Sequence, residues 1–273
     1  MSGTKLNILP VPTFRWLGVN GAERDTDGLA AKELAIAAKP GEKRTSLLWI
    51  DSEGITDVKI TVPEGAAVKL VEVFDVPGQA VSKVTAELGD SAAFELVQLY
   101  LGGDTVSEAV IGLNGRRSSF TADIGYMLGG QDKLDLNLIA NHTGRKTLSQ
   151  INAKGVLDGD AVKTFKGTID FKNGASGAKG SEKEDVLLMS GSAVNKTVPL
   201  ILCAEDDVEG SHGASIGRID EREVFYMQTR GIPEEKICEL AALGKLRQIL
   251  SKIGDEDTVI RINKRLGRGE EDE

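Results

Sequence analysis

Two histidines and two cysteines are the scarce reactive side chains of this 273-residue chain. His212 lies in Ser211–Ala214 (SHGA), between Gly210 and Gly213. Such small neighbours leave a ring nitrogen approachable, and an imidazole titrates near neutrality and can ligate iron. On spacing alone the ordinary alternative, a buried imidazole with satisfied hydrogen bonds, is favoured. His142 precedes Thr143-Gly144 and reads as a hydrogen-bonded turn histidine. Cys203 sits in Leu200–Ala204 (LILCA), apolar on both strand faces, and reads as a buried inert thiol. Cys238 follows Ile237 in a helical pattern, without an acidic or thiol partner at i+3 or i+4, and reads as packing. Two cysteines make neither a disulfide framework nor a complete metal site.

Carboxylates offer little more. Glu205, Asp206 and Asp207 are adjacent. Hydrolases and lyases need carboxylates facing one another across a substrate, whereas neighbours on a strand point to opposite faces, so these read as a solvated edge. Asn173–Glu184 (NGASGAKGSEKE) is small, polar and glycine-rich. It reads as a mobile loop without the G-x-x-x-x-G-K-[ST] spacing of a phosphate cradle. H-E-x-x-H, C-x-x-C and dinucleotide fingerprints are absent from the sequence.

The elements that must hold these residues are mostly strands. From Thr45 to Arg218, apolar or alternating runs are punctuated by Glu64-Gly65, Pro77-Gly78, Gly89-Asp90, Gly102-Gly103, Asn114-Gly115 and Gly129-Gly130. Tyr100-Leu-Gly-Gly and Met127-Leu-Gly-Gly recur with similar intervening turns. That weak period fits coils of a β-solenoid, and an antiparallel sandwich would show similar turn spacing. Ahead of the strands, Asn7–Pro12 is extended by its prolines, and Asp27–Ala38 is expected to form an alanine-rich helix stopped by Pro40 and Gly41. Behind them come helices. Asp220 is placed to cap the first, with Glu223 three residues on and Gly231 at its end. Pro233 opens a second, whose apolar residues Leu240, Leu246 and Leu250 recur near helical spacing with no evident partner.

Composition bounds the function. The net charge of −9 argues against nucleic acid and anionic membranes as partners. Without an apolar run of about 18 residues or a signal peptide, a cytosolic protein is expected. Glu270–Glu273 make an acidic tail, expected to be disordered.

Taken together, Ala204–Val208 (AEDDV), Ser211–Ala214 (SHGA), Gly217–Asp220 (GRID) and Phe225–Ile232 (FYMQTRGI) resemble the SufB/SufD family. These are the scaffold subunits of the SUF iron–sulfur assembly machinery. Asn141–Thr147 (NHTGRKT), Lys154–Asp158 (KGVLD), Phe165–Ile169 (FKGTI) and Leu187–Ser190 (LLMS) extend the resemblance upstream. The N-terminal pattern L-N-x-L-P-x-P-T-x-x-W-L-x-V-N is similar to the opening segment of shorter SufD-type chains.

The resemblance implies a mainly β protein with a right-handed β-helix core, an N-terminal cap segment and C-terminal α-helices. The corresponding boundaries are a cap over 1–45, β-helix over 46–219, helices over 220–266 and a disordered tail over 267–273. It also implies the SufD branch, because the SufB cysteine falls on Ala193 and the glutamate after the SufB histidine falls on Gly213. Persulfide acceptance wants a thiolate, so this chain is not expected to take up sulfur at that point or to be an enzyme. His212 becomes the candidate ligand of an iron–sulfur cluster, transient and shared with a partner subunit. The implied partners are a SufB-type scaffold or a second copy, and a SufC-type ABC ATPase docked on a surface that includes Phe225, Tyr226, Arg230, Leu240, Leu246 and Leu250. The alternatives are a polysaccharide lyase or hydrolase on a β-helix, by fold analogy, and a purely structural homodimer.

Overall fold

The computed structural model describes residues 4–13 and 15–266, so the expected disordered tail lies outside the described residues. Fourteen strands alternate between two parallel sheets. One sheet contains β3 (Ala31–Ala37), β5 (Gly54–Val62), β7 (Gln79–Leu88), β9 (Asp104–Leu113), β11 (Lys133–His142), β13 (Val162–Phe171) and β15 (Val194–Cys203). The other contains β4 (Lys43–Ile50), β6 (Ala67–Phe74), β8 (Ala93–Tyr100), β10 (Ser119–Leu128), β12 (Leu148–Leu157), β14 (Ala178–Leu188) and β16 (Val208–Gly217). Each strand hydrogen-bonds to the strand two further along the chain, not to its immediate successor. This is a β-solenoid, and the parallel pairing removes the sandwich alternative.

Alternation explains why these runs become strands. Val68, Leu70 and Phe74 of β6 point inward, as do Phe94, Leu96 and Tyr100 of β8 in register above them. Like residues therefore stack coil upon coil, Phe74 on Tyr100 with ring centroids 4.5 Å apart and Phe94 on Phe120 at 5.7 Å. The turns stack as well. One or two residues before β4, β6, β8, β10, β12 and β14 the chain takes a left-handed conformation, at Gly41, Gly65, Ser91, Arg117, Lys146 and Gly177 respectively. Their backbone N–H groups climb one coil at a time: Gly65 to Asp90, Ser91 to Arg116, Arg117 to Arg145. That ladder holds Ser91, Arg117 and Lys146 in a conformation glycine adopts without a Cβ penalty.

Both outer faces are covered. An antiparallel pair, β1 (Thr4–Leu6) and β2 (Ala22–Arg24), lies against the odd-numbered sheet, with Leu6 and Ala22 on Val81 and Val106. Further along the segment, Leu9 and Val19 pack on Val198 of β15. Between these anchors buried Asn7 donates through Nδ2 to the carbonyls of Ser107 and Asp135, and its own carbonyl accepts from Lys166 Nζ. On the even-numbered sheet, α2 (Glu234–Ile253) and α3 (Glu256–Arg265) lay Leu246, Ile249, Ile253 and Ile262 over Val71, Val73, Val97 and Leu99. The short helix α1 (Glu221–Thr229) precedes them.

Three expectations give way. The helix expected over Asp27–Ala38 is instead turn and strand β3, because pairing with β5 buries Ile36. The solenoid therefore begins inside the segment expected as a cap over 1–45. The loop expected over Asn173–Glu184 is a tight turn followed by β14, whose Gly180, Glu182, Glu184 and Val186 alternate into the interior.

Candidate functional site

Among the described residues strand pairing stops at β15 and β16, so the last coil has an inner face with no described coil above it. On β14, Glu182 and Glu184 point inward and are buried; their register partners on β16 are His212 and Ala214. His212 therefore belongs to the inward row, yet it is exposed. It is not the packed imidazole that spacing alone favoured. Its setting is open: a Cβ added to Gly213 would meet nothing within 4 Å. On the facing strand Cys203 is the register partner of buried Phe171, and it too is exposed. The reading of Cys203 as a core thiol is corrected for the same reason. Its apolar neighbours belong to a terminal strand whose inner side opens to solvent.

One rung below this open face lies a buried charged cluster. Lys163 and Glu184 form an ion pair, with their side chains 0% and 1% exposed. Glu184 also accepts from the Tyr126 hydroxyl at 3.1 Å and from Thr197 Oγ1 at 2.5 Å. Burial lowers the Lys163 ammonium while Glu184 opposes the shift; burial and the nearby Glu184 charge raise the Tyr126 phenol. Burial, reinforced by Glu184 and opposed by Lys163, pushes the Glu182 carboxyl up to about 8. These residues were missed in the sequence because the glycine-rich texture of 173–184 masked the alternation of Glu182 and Glu184.

His142 is structural. It is fully buried, its ring nitrogens are within 2.6 Å of Thr147 Oγ1 and 2.8 Å of Ser149 Oγ, and burial lowers it to about 4, so it stays neutral. Glu205 and Asp207 serve the last turn, accepting from Gly174 N–H and the Ser176 hydroxyl. Ala193 is partly buried against the core just before β15. Gly213–Gly217 has the G-x-S-x-G spacing of a hydrolase nucleophile elbow. That motif needs a strained strand-to-helix turn, whereas these residues run along β16.

The expected docking stripe divides. Leu246 is fully buried against the chain's own sheet and Leu250 is partly buried there, so Leu246 is withdrawn as a partner-binding residue. Phe225 (68% exposed), Tyr226 (58%) and Leu240 (43%) remain outward, and the Arg230 guanidinium lies 5.0 Å from the Tyr226 ring centroid. A cleft of about 300 Å³ between α1, α2 and the end of β14 is lined by Met189, Val224, Phe225 and Cys238. Burial raises the Cys238 thiol there, with Glu234 and Asp158 adding to the shift.

A family model described as the SUF system FeS cluster assembly, SufBD core domain, matches residues 23–244. The chain belongs to the SufBD family. The iron–sulfur cluster assembly protein SufD of Bacillus subtilis is 30% identical over 151 residues, 55% of this chain and 35% of that protein. SufB of the same organism is 26% identical over 118 residues, 43% of this chain and 25% of that protein. A chloroplastic SufBD family protein of Arabidopsis thaliana, ABCI8, is 31% identical over 115 residues, covering 42% and 21%. The matched regions thus span about a third or less of these relatives. Membership in SufBD fits a scaffold component of iron–sulfur cluster assembly. Among the described residues no three His, Cys, Asp or Glu side chains converge as a metal site. None of the described helices of this SufBD chain is long and apolar enough to cross a membrane.

Proposed function

We propose that this chain is a non-catalytic scaffold subunit of a SUF-type assembly complex. It pairs through the open end of its solenoid with a SufB-type subunit or a second copy, and the cluster under construction is shared across that junction. The observation that carries the reading is the uncapped β15–β16 end, which presents His212 on an inward row with no described coil above it. A neutral imidazole there supplies one coordination position, and thiolates or carboxylates of the opposing subunit supply the others. The exposed face of α1 and the start of α2, with Phe225, Tyr226, Arg230 and Leu240, is the docking surface for a SufC-type ABC ATPase.

Purification of the chain from its native cells, with iron and sulfide analysis, tests the whole reading. Co-purification of an ABC-type ATPase with a scaffold partner and iron is expected. His212→Ala should lower iron and sulfide per complex while leaving the melting of the isolated subunit in place, since the exposed ring has little packing to lose. Phe225→Ala should weaken ATPase capture without changing iron content of the scaffold pair. A native chain that carries neither ATPase nor iron, or a His212→Ala complex with a normal cluster, refutes the corresponding part.

A further inference from the structure

The last closed coil holds two carboxylates against one ammonium. Glu184 takes the ammonium of Lys163, together with the hydroxyls of Tyr126 and Thr197. Glu182 is left over. Its side chain is buried to 3% exposure, and its Oε2 has no hydrogen-bond partner. The facing position on β13 is Gly167, where an added Cβ would collide with the Glu182 carboxyl, so the glycine makes the space the carboxyl occupies. An isolated buried carboxylate is costly unless a counter-charge or donor meets it.

The rung above Glu182 is His212. The two are direct register partners on parallel strands and share the inward face. Neighbouring strands lie about 4.8 Å apart, a spacing that one ion bonded to both side chains can bridge. His212 makes no hydrogen bond among the described residues, and Gly210 and Ala214, its neighbours on the inward row, leave the approach clear.

We propose that Glu182 and His212 form a two-donor half-site for a single divalent transition-metal ion, entered from the open end of the solenoid. The proposal rests on the reading of His212 as a ligand; it adds a second donor from the coil beneath and specifies a mononuclear load. Charge favours it, because Lys163 is already paired with Glu184, which leaves the Glu182 carboxyl in the interior without a counter-charge of its own. Donor chemistry sets the class of ion. A carboxylate oxygen with an imidazole nitrogen suits Fe(II), Co(II), Zn(II) or Mn(II), whereas Ca(II) and Mg(II) want all-oxygen sets. Water or an opposing subunit fills the remaining positions.

The test is anaerobic titration of the metal-free full chain with Co(II), followed by calorimetry and visible absorption. Saturable binding of one ion per chain is expected, weakened at least tenfold in Glu182→Gln and likewise in His212→Ala. Glu182→Gln preserves shape, and its melting curve checks the fold; Glu182→Met, which keeps the volume and removes the donor, serves if the amide variant fails to fold. Absence of saturable binding overturns the proposal, as does Co(II) binding that survives either substitution. If only His212→Ala weakens binding, Glu182 is no ligand while the shared-cluster reading of His212 stands. If both substitutions abolish Co(II) binding but His212→Ala complexes still carry a normal cluster, the ion site stands and the cluster-ligand reading fails.

Discussion

Lys163→Met removes the cation beneath the open end and preserves side-chain length. In the native chain the ammonium is fully buried against Glu184, and Thr197 ties the pair to the terminal strand β15. Methionine leaves two buried carboxyls without a positive charge, Glu184 with its two hydroxyl partners and Glu182 with none. Removing one partner of a buried ion pair costs about 3–5 kcal/mol. At about 2–4 °C per kcal/mol for a domain of this size, the midpoint should fall by about 6–20 °C. The deficit should depend on pH. Carboxyls without a counter-charge take up protons on folding, so the folded variant binds more protons than the unfolded chain and loses stability as pH rises. Urea midpoints by circular dichroism at pH 5 and pH 8 should show a small deficit at the first and the full one at the second. The double variant Lys163→Met with Glu184→Gln should recover at least half of the loss, because a neutral amide keeps the hydroxyl bonds. A deficit below about 1 kcal/mol at pH 8, or one equal at both pH values, refutes the assignment of Lys163 as the compensating charge.

Leu246→Ala should cost about 2–5 kcal/mol, since the side chain is fully buried between α2 and the sheet; hydrogen exchange should show α2 losing protection before the strands do. Glu72 is completely buried, and burial pushes its carboxyl from 4.5 to about 7, with hydrogen bonds from Gln98 and Ser82 opposing the shift. A folded value above the unfolded one means stability that is present below about pH 4.5 and lost as pH rises through about 7. Glu72→Gln should therefore gain on the wild type between pH 5 and pH 8, by on the order of 3 kcal/mol, in urea midpoints.

The solenoid was legible because its signal is repetitive: alternating apolar runs with glycine-marked turns can be read coil by coil. What the sequence left open was the partner of each strand, since turn spacing alone is shared by sandwiches and solenoids. Errors gathered where composition outweighed alternation. The alanines of 31–38 read as helix, yet Ile36 is buried by pairing with β5. The glycines and charges of 173–184 read as loop, although Glu182 and Glu184 keep the inward phase of Val186. Cys203 was misplaced for a different reason. Local apolarity shows that a strand can be buried, but exposure depends on whether another coil follows, and that is a property of the whole stack. The stripe on α2 was correctly seen as apolar and wrongly left without a partner, because the outward row Val71, Val73, Val97 and Leu99 belongs to strands far away in sequence.

The two ends of the stack differ in how they treat free strand edges. At the first end, β3 and β4 are seven and eight residues long and carry Lys32, Glu33, Lys43 and Arg44. Arg261 of α3 lies 3.6 Å from the Trp49 ring centroid on β4, which brings the helix over that edge. Charges, short strands and a covering helix are the devices by which sheets avoid edge pairing. At the other end β16 runs for ten residues, nine of them exposed, among them Gly210, Ser211, Gly213, Ala214, Ser215 and Gly217. An edge so small and lightly charged has kept its capacity to pair. Ala214→Lys restores the missing device at an inward position, next to His212. Because Ala214 is exposed, the isolated chain should change in stability by no more than about 0.5 kcal/mol. Association with a SufB-type subunit or with itself should be lost, measured by sedimentation. Thr45→Lys, at an exposed site on the already charged end, should leave association unchanged. Undiminished association of the Ala214→Lys chain would show that the open end is not the pairing surface, and the shared site at His212 would go with it.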